Sequence, residues 1–170
     1  MRKRDWAISI LTAVILLAAG VHFFYDPLFR MRLSEIEGKG VAVEDAMDDT
    51  PPAGAVDFYT RLIKVRPDSA AGYVGRGKAR ARAGAKEEAL ADFSRAAEVA
   101  QVDGLTEKTL LLRGELLLDM QEFGKAANDC AEAEEGRYRE RSADCLAAAH
   151  AGWGEKLYLE GEYAGAAEAF

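Results

Sequence analysis

"GYVGRGKARARAG", residues 72–84, holds four glycines and four basic residues with no acid among them. Two chemistries favour such a composition: a glycine loop that cradles phosphate, and an arginine strip that follows a nucleic-acid backbone. Neither fits. No predicted strand precedes the glycines, as a phosphate loop requires. On a helix, Lys78 and Arg82 share a face while Arg80 points elsewhere, so the cations form no single stripe. Glu87, Glu88 and Asp92 follow at once. The stretch reads instead as the first helix of a helical hairpin, with Gly84 as the glycine of its C-terminal turn.

The whole chain supports a helical reading. It has 170 residues, about half of them apolar, with much alanine and only 4 prolines. Its formal charge of −7 argues against nucleic acid as a partner. Cys130 and Cys145 are too few and too far apart for a zinc site or a CxxC motif, and the only histidines are His22 and His150. No catalytic triad, P-loop or metalloprotease helix is present, and no cofactor or small-molecule substrate is implied. The expectation is a protein that is not an enzyme.

The N-terminus begins with Arg2, Lys3 and Arg4, and Trp6 to Tyr25 then runs without Asp, Glu, Lys or Arg. That length suits a bilayer-crossing helix, with Trp6 at one boundary and Phe23, Phe24 and Tyr25 at the other. The basic cluster predicts a cytoplasmic N-terminus and a periplasmic remainder in a single-pass inner-membrane protein. The rival is a cleaved signal peptide; the apolar run past Gly20 favours an uncleaved anchor. His22 reads as an interfacial residue near the outer end of the span. From residue 26 onward, 19 Lys and Arg stand against 28 Asp and Glu, a charge of −9.

Internal repetition then decides the architecture. Gly77, Gly114 and Gly154 align. Four residues before them stand Tyr73, Leu110 and His150, and twelve after stand Ala89, Ala126 and Ala166. Sixteen after stand Phe93, Cys130 and Phe170. Gly84 and Gly161 fall seven after the first and third, and Phe123 and Tyr163 fall nine after the second and third. Small residues suit the close crossing of two helices, and aromatics fill the space beside them.

This pattern resembles the tetratricopeptide repeat family, whose unit is a helix–turn–helix of 34 residues. The resemblance covers roughly residues 52–170 and implies an all-α, right-handed α-solenoid behind the N-terminal transmembrane helix. The expected divisions are 1–26 for tail and anchor, 27–51 for a juxtamembrane helix and linker, and 52–170 for the repeats. Within the last lie a half repeat at 52–68 and repeats near 70–101, 107–136 and 146–170. The final repeat is expected to be incomplete, with an apolar edge near Leu157, Ala166, Ala167 and Phe170. Residues 33–54, rich in acid and glycine, read as a short helix and then a spacer. Thr50 is the expected cap of a helix running from the Pro51–Pro52 pair to about Val65.

Two further pairings follow from the alignment. Arg76 and Arg113 precede the repeat glycine, and Asp92 and Asp129 lie sixteen residues after them; in the third unit Trp153 and Ala169 replace both. Arginine and aspartate that appear and vanish together predict an ion pair within each unit. Cys130 and Cys145 lie at similar depth on neighbouring antiparallel helices. They could bond in an oxidising compartment, or pack as two small buried residues, and the second reading is preferred.

The family's geometry implies an inner surface lined by first helices, carrying Lys78, Arg82, Lys108, Leu111, Glu115, Asp119, Glu155 and Tyr158. Such a groove suits an extended peptide or a partner helix. Chaperone-binding members clamp a terminal carboxylate there, but Val74, Leu112 and Gly152 hold three of the five clamp positions, which argues against that role. The expected function is that of a membrane-anchored scaffold or adaptor, an accessory or assembly subunit of a cell-envelope complex that binds other protein subunits. The alternatives are a periplasmic chaperone-like factor for secretion or cytochrome maturation, and an enzyme with an unrecognised active site.

Overall fold

The computed structural model describes residues 29–36, 42–100, 105–134 and 136–169. All of their regular structure is helical. The chain divides into two compact units, Met1–Ala42 and Val43–Phe170. In the first, residues 29–36 form a helix, α1, in which Phe29 and Leu33 are buried.

The second unit opens with a 3-10 turn, Val43–Asp45. Six helices and a short terminal one follow: α2 Pro52–Val65, α3 Ala70–Arg82, α4 Lys86–Val99, α5 Thr106–Asp119, α6 Phe123–Glu132, α7 Arg139–Leu159 and α8 Tyr163–Ala169. Each packs chiefly against its neighbours in the chain, so the unit is a series of helical hairpins. The helix face toward each neighbour has the expected spacing. In α4 the buried residues are Ala89, Asp92, Phe93 and Ala96, one stripe at i, i+3, i+4 and i+7. Glu87 and Glu88 in its first turn complement the positive end of the helix dipole.

The hairpins are held at short range. A Cβ placed on Gly77 would come within 2.7 Å of the Phe93 ring, and one on Gly114 within 2.6 Å of Cys130 Sγ. Adjacent hairpins share apolar clusters: Leu116 joins Ala89 and Phe93, and Leu117 joins Ala126, Ala127 and Ala149. Cys130 and Cys145 are joined in a disulfide, with Cα atoms 5.8 Å apart. This bonds α6 to α7 and corrects the reading of two separate buried thiols. Leu110, Leu111 and Ala133 close around it.

Several boundaries differ from expectation. Thr50 caps no helix: Pro51 stands at the N-cap, and the Thr50 hydroxyl donates to Met47 Sδ at 3.6 Å. Residues 139–145, left between the expected repeats near 107–136 and 146–170, are helical, so α7 starts at Arg139 and has 21 residues. They contain no helix breaker, and the Ser142 hydroxyl donates to the Cys130 carbonyl, fastening the added turns to α6. At the far end Ala166 is buried and Ala167 is exposed, while Trp153, Tyr158, Leu159 and Tyr163 face solvent. Phe170 lies outside the described residues.

The expected single-pass inner-membrane localisation is corrected. Among the described residues no helix is long and apolar enough to cross a membrane. The longest, α7, carries Arg139, Glu140, Arg141 and Asp144 near its start and Glu155 and Lys156 near its end. The apolar run 6–25 lies outside the described residues.

The turns that end α3, α5 and α7 share one geometry. After α3, the Gly84 amide donates to Ala81 O and the Ala85 amide to Arg80 O, both at 3.0 Å, with Gly84 at φ +80°. Gln121 and Glu122 repeat the pattern onto Leu118 and Leu117, and Gly161 and Glu162 onto Tyr158 and Leu157. This is the Schellman arrangement, and the first of the two donor residues occupies the left-handed region each time. Two of the three are glycine; Gln121, at φ +60°, is not. Its Cβ carries a steric cost that glycine lacks. Gln121→Gly is therefore expected to stabilise the protein by about 1 kcal/mol, and Gly161→Ala to destabilise it by a similar amount. Urea unfolding of both variants measures this, and a destabilised Gln121→Gly would contradict it.

Candidate functional site: the face of α3 and α5 that meets residues 43–50

The two arginine–aspartate pairs lie between the helices of their hairpins. Arg76 donates from Nε to Asp92 Oδ2 at 2.9 Å and from Nη2 to Oδ1 at 2.7 Å. Arg80 adds a third bond, from Nη1 to Asp92 Oδ2 at 2.6 Å. Arg113 grips Asp129 in the same two-pronged way, at 2.6 and 2.7 Å. Asp92 is only 3% exposed, and these donors meet both of its carboxylate oxygens. The hydrogen bond from Arg113 to Asp129 raises the guanidinium above its ordinary value, more than burial lowers it. With each guanidinium committed to a carboxylate in its own hairpin, these pairs hold the fold and offer nothing to an anionic ligand.

One turn along, the side chains of α3 and α5 project away from that crossing and meet residues 43–50, VEDAMDDT. This segment, expected as part of a spacer, packs on α3. Lys78 Nζ donates to Asp45 Oδ1 and Asp48 Oδ2, each at 2.6 Å. Lys108 Nζ donates to Glu44 Oε1 at 3.0 Å and Asp45 Oδ2 at 2.7 Å. Arg82 reads main chain: Nη2 donates to Met47 O and Thr50 O at 3.2 Å each, and Nη1 to Asp48 O. On its other side the segment rests on Tyr59, whose hydroxyl lies 3.0 Å from Glu44 O and 3.2 Å from Val43 O and accepts from the Met47 amide.

The electrostatics follow from this enclosure. Burial alone would raise the Asp45 carboxyl, but hydrogen bonds from Lys108 and Lys78 outweigh it and hold the group below its ordinary value. Burial would lower the Lys108 ammonium, but bonds to Asp45 and Glu44 outweigh it and raise the group. Burial pushes the Tyr59 phenol well above its ordinary range, so it stays protonated and can donate.

The other residues expected on this face divide. Glu115 accepts from Arg141 at 2.7 Å, and Asp119 pairs with Lys86 at 2.7 Å. Glu155 and Tyr158 are exposed on α7, with Tyr158 edge-on to Tyr163. Leu111 is corrected: it is 1% exposed and packed in the cluster around the disulfide, so it presents nothing to a partner. Beside Asp48 a cavity of about 470 Å³ opens between α3 and α5, walled by Ala81, Phe93, Leu112 and Leu116 and rimmed by Lys78, Arg82, Glu115 and Asp119. Among the described residues no group of His, Cys, Asp and Glu is placed to hold a metal ion.

Sequence reasoning missed Glu44, Asp45, Asp48 and Tyr59. A signal was present: four acids in the seven residues 44–50, in a chain whose first repeat helix carries Lys78 and Arg82 on one face. No protein-family model matches this chain, and no curated protein matches it.

Replacing Asp92 with Ala leaves two guanidinium groups facing a gap. The expected loss is about 2–4 kcal/mol in urea unfolding, against less than about 0.5 kcal/mol for Asp57→Ala, which breaks the exposed Arg61–Asp57 pair. Equal losses would show that the buried pair is not special. The attachment of 43–50 should also depend on pH in a defined sense. Asp45, lowered in the folded state, stabilises above its unfolded value of about 3.9, and the contribution is lost as pH falls through the lower folded value. Lys108, raised, stabilises below its unfolded value of about 10.4, and the contribution is lost only as pH rises beyond it. Amide chemical shifts of Ala46 and Asp48 should therefore stay constant from about pH 6 to 9 and move below about pH 4. A transition near neutrality would contradict this assignment.

Proposed function

We propose that this chain is a helical-repeat interaction module of the tetratricopeptide kind, an adaptor whose inner face binds a segment of another protein. The reading is supported first by the repeated hairpin. The Schellman turns centred on Gly84, Gln121 and Gly161 fall seven residues after Gly77, Gly114 and Gly154. Stacked hairpins of this kind form a solenoid with an extended concave surface.

The observation that carries the proposal is the seating of residues 43–50. Side chains from α3 and α5 hold that segment by its carboxylates and by three of its backbone carbonyls. Arg82 bonds to main-chain oxygens that every residue has, while Lys78 and Lys108 select acids. A surface that grips main chain for affinity and side chains for selectivity is suited to peptide recognition. The module would serve as an accessory or assembly subunit that holds partners together.

A photo-cross-linking residue at Glu115, on the inner face, and at Arg95, on the exposed side of α4, tests this. Adducts with one defined protein are expected from position 115 and not from 95. That protein, purified, should bind the intact chain and bind it at least tenfold less tightly after Lys78→Glu, a change of about 1.4 kcal/mol. Equal labelling from both positions, or none from either, would remove the proposal.

A further inference from the structure

Residues 43–50 raise a question of their own: why does this chain occupy part of a surface suited to other proteins? We infer that the segment is an intramolecular ligand, and that the external partner is an acidic segment that takes its place on Lys78, Arg82 and Lys108. This rests on the inner face being a binding surface, and adds who binds and what opposes it.

The cations are matched to this ligand and to little else. Every bond given above for the Lys78 and Lys108 ammonium groups goes to Glu44, Asp45 or Asp48, and those for the Arg82 guanidinium go to carbonyls of residues 47, 48 and 50. If the segment left with nothing replacing it, three cations on one face would lose their partners together. A replacement must therefore bring carboxylates at similar spacing. A basic or apolar segment would leave these charges uncompensated.

The hold is also of a kind that competition can break. The side chains of Asp45 and Asp48 are 37% and 47% exposed, and ion pairs that open to water are weak and screened by salt. The segment does not fill the face. The cavity beside Asp48, walled by Ala81, Phe93, Leu112 and Leu116, remains open. A partner with an apolar residue beyond its acidic pair reaches this cavity as well as the cations, and so gains contacts that 43–50 lacks. Opposing release, Tyr59 holds the far side of the segment, and Glu44 and Met47 are buried. The outcome depends on which side dominates, and that can be measured.

The probe is a fluorescent peptide of residues 42–51 of this chain, titrated into the full chain and read by anisotropy. Asp45→Asn with Asp48→Asn frees the face while leaving its cations in place. Affinity for a site open only a fraction of the time falls by that fraction, so the variant should bind the peptide about tenfold or more tighter than the unaltered chain. Adding Lys78→Ala and Lys108→Ala should abolish binding, as should a peptide with lysine in place of its four acids. Equal binding by the variant and the unaltered chain would overturn the inference, as would binding that survives loss of both lysines. So would a double-Asn variant that loses its helical circular dichroism, because 43–50 would then be a fixed part of the fold. In the unaltered chain, hydrogen exchange at residues 46–50 should quicken in about 0.5 M salt while α3 and α5 stay protected. Protection of 46–50 equal to that of the helices overturns it independently. If a protein cross-links at position 115 but binds the double-Asn variant no more tightly, the inner face is an interface and only this inference fails.

Discussion

The separation of the two helices in a hairpin is the constraint on which the rest of this unit depends. Gly77 lies against the Phe93 ring, and Gly114 against Cys130 Sγ, with no room for a Cβ. At that distance the residue before each glycine faces the residue before its counterpart: Arg76 meets Asp92, and Arg113 meets Asp129. A carboxylate so deeply placed is tolerable because a guanidinium supplies two parallel donors to it. The ion pairs are thus consequences of close packing. Wider helices would leave both charges facing a gap that water would enter.

The same crossing decides which side chains are left for other work. With Arg76 and Gly77 turned inward on α3, Lys78 and Arg82 must project from another part of its surface. They do so beside Lys108 of α5, concentrating positive charge on a molecule whose net charge is negative. Two ammonium groups and a guanidinium within reach of one another repel unless anions lie between them. Residues 43–50 supply those anions, and Tyr59 fixes the segment's backbone so that they stay aligned. Sequence, packing and electrostatics connect here: the glycine sets the crossing, the crossing sets the outward face, and the outward face gathers the acids.

The helical hairpins were legible because their signals are local. The end of α3 at Gly84 follows from a glycine after a periodic segment, and Pro52 announces α2. The Arg76–Asp92 pair was readable because the repeat offers a comparison, in which Trp153 and Ala169 replace both partners at once. What escaped the sequence is non-local or lacks its usual residue. Residues 43–50 look like a solvated spacer, since the cations that bind them lie 30 to 64 positions away. Leu111 belongs to an apparent inner-face register, but α5 turns it toward the disulfide, and helical period alone cannot choose between two apolar neighbours. Gln121 adopts a backbone conformation that glycine usually marks. Cys130 and Cys145 permitted both bonded and free states by spacing, and only their juxtaposition decides.

The disulfide gives the unit a mechanical property. Cys130 and Cys145 are 15 positions apart along the chain, yet their Cα atoms are 5.8 Å from each other. Fully extended, that stretch would span about 50 Å. Under tension, the oxidised chain therefore cannot release this length: force passes across the cystine and bypasses the residues inside the ring. The ring includes the end of α6 and the first turns of α7, so the junction between two hairpins is shielded from pull applied at either end. Reduction would return roughly 45 Å of contour length and make that junction bear load.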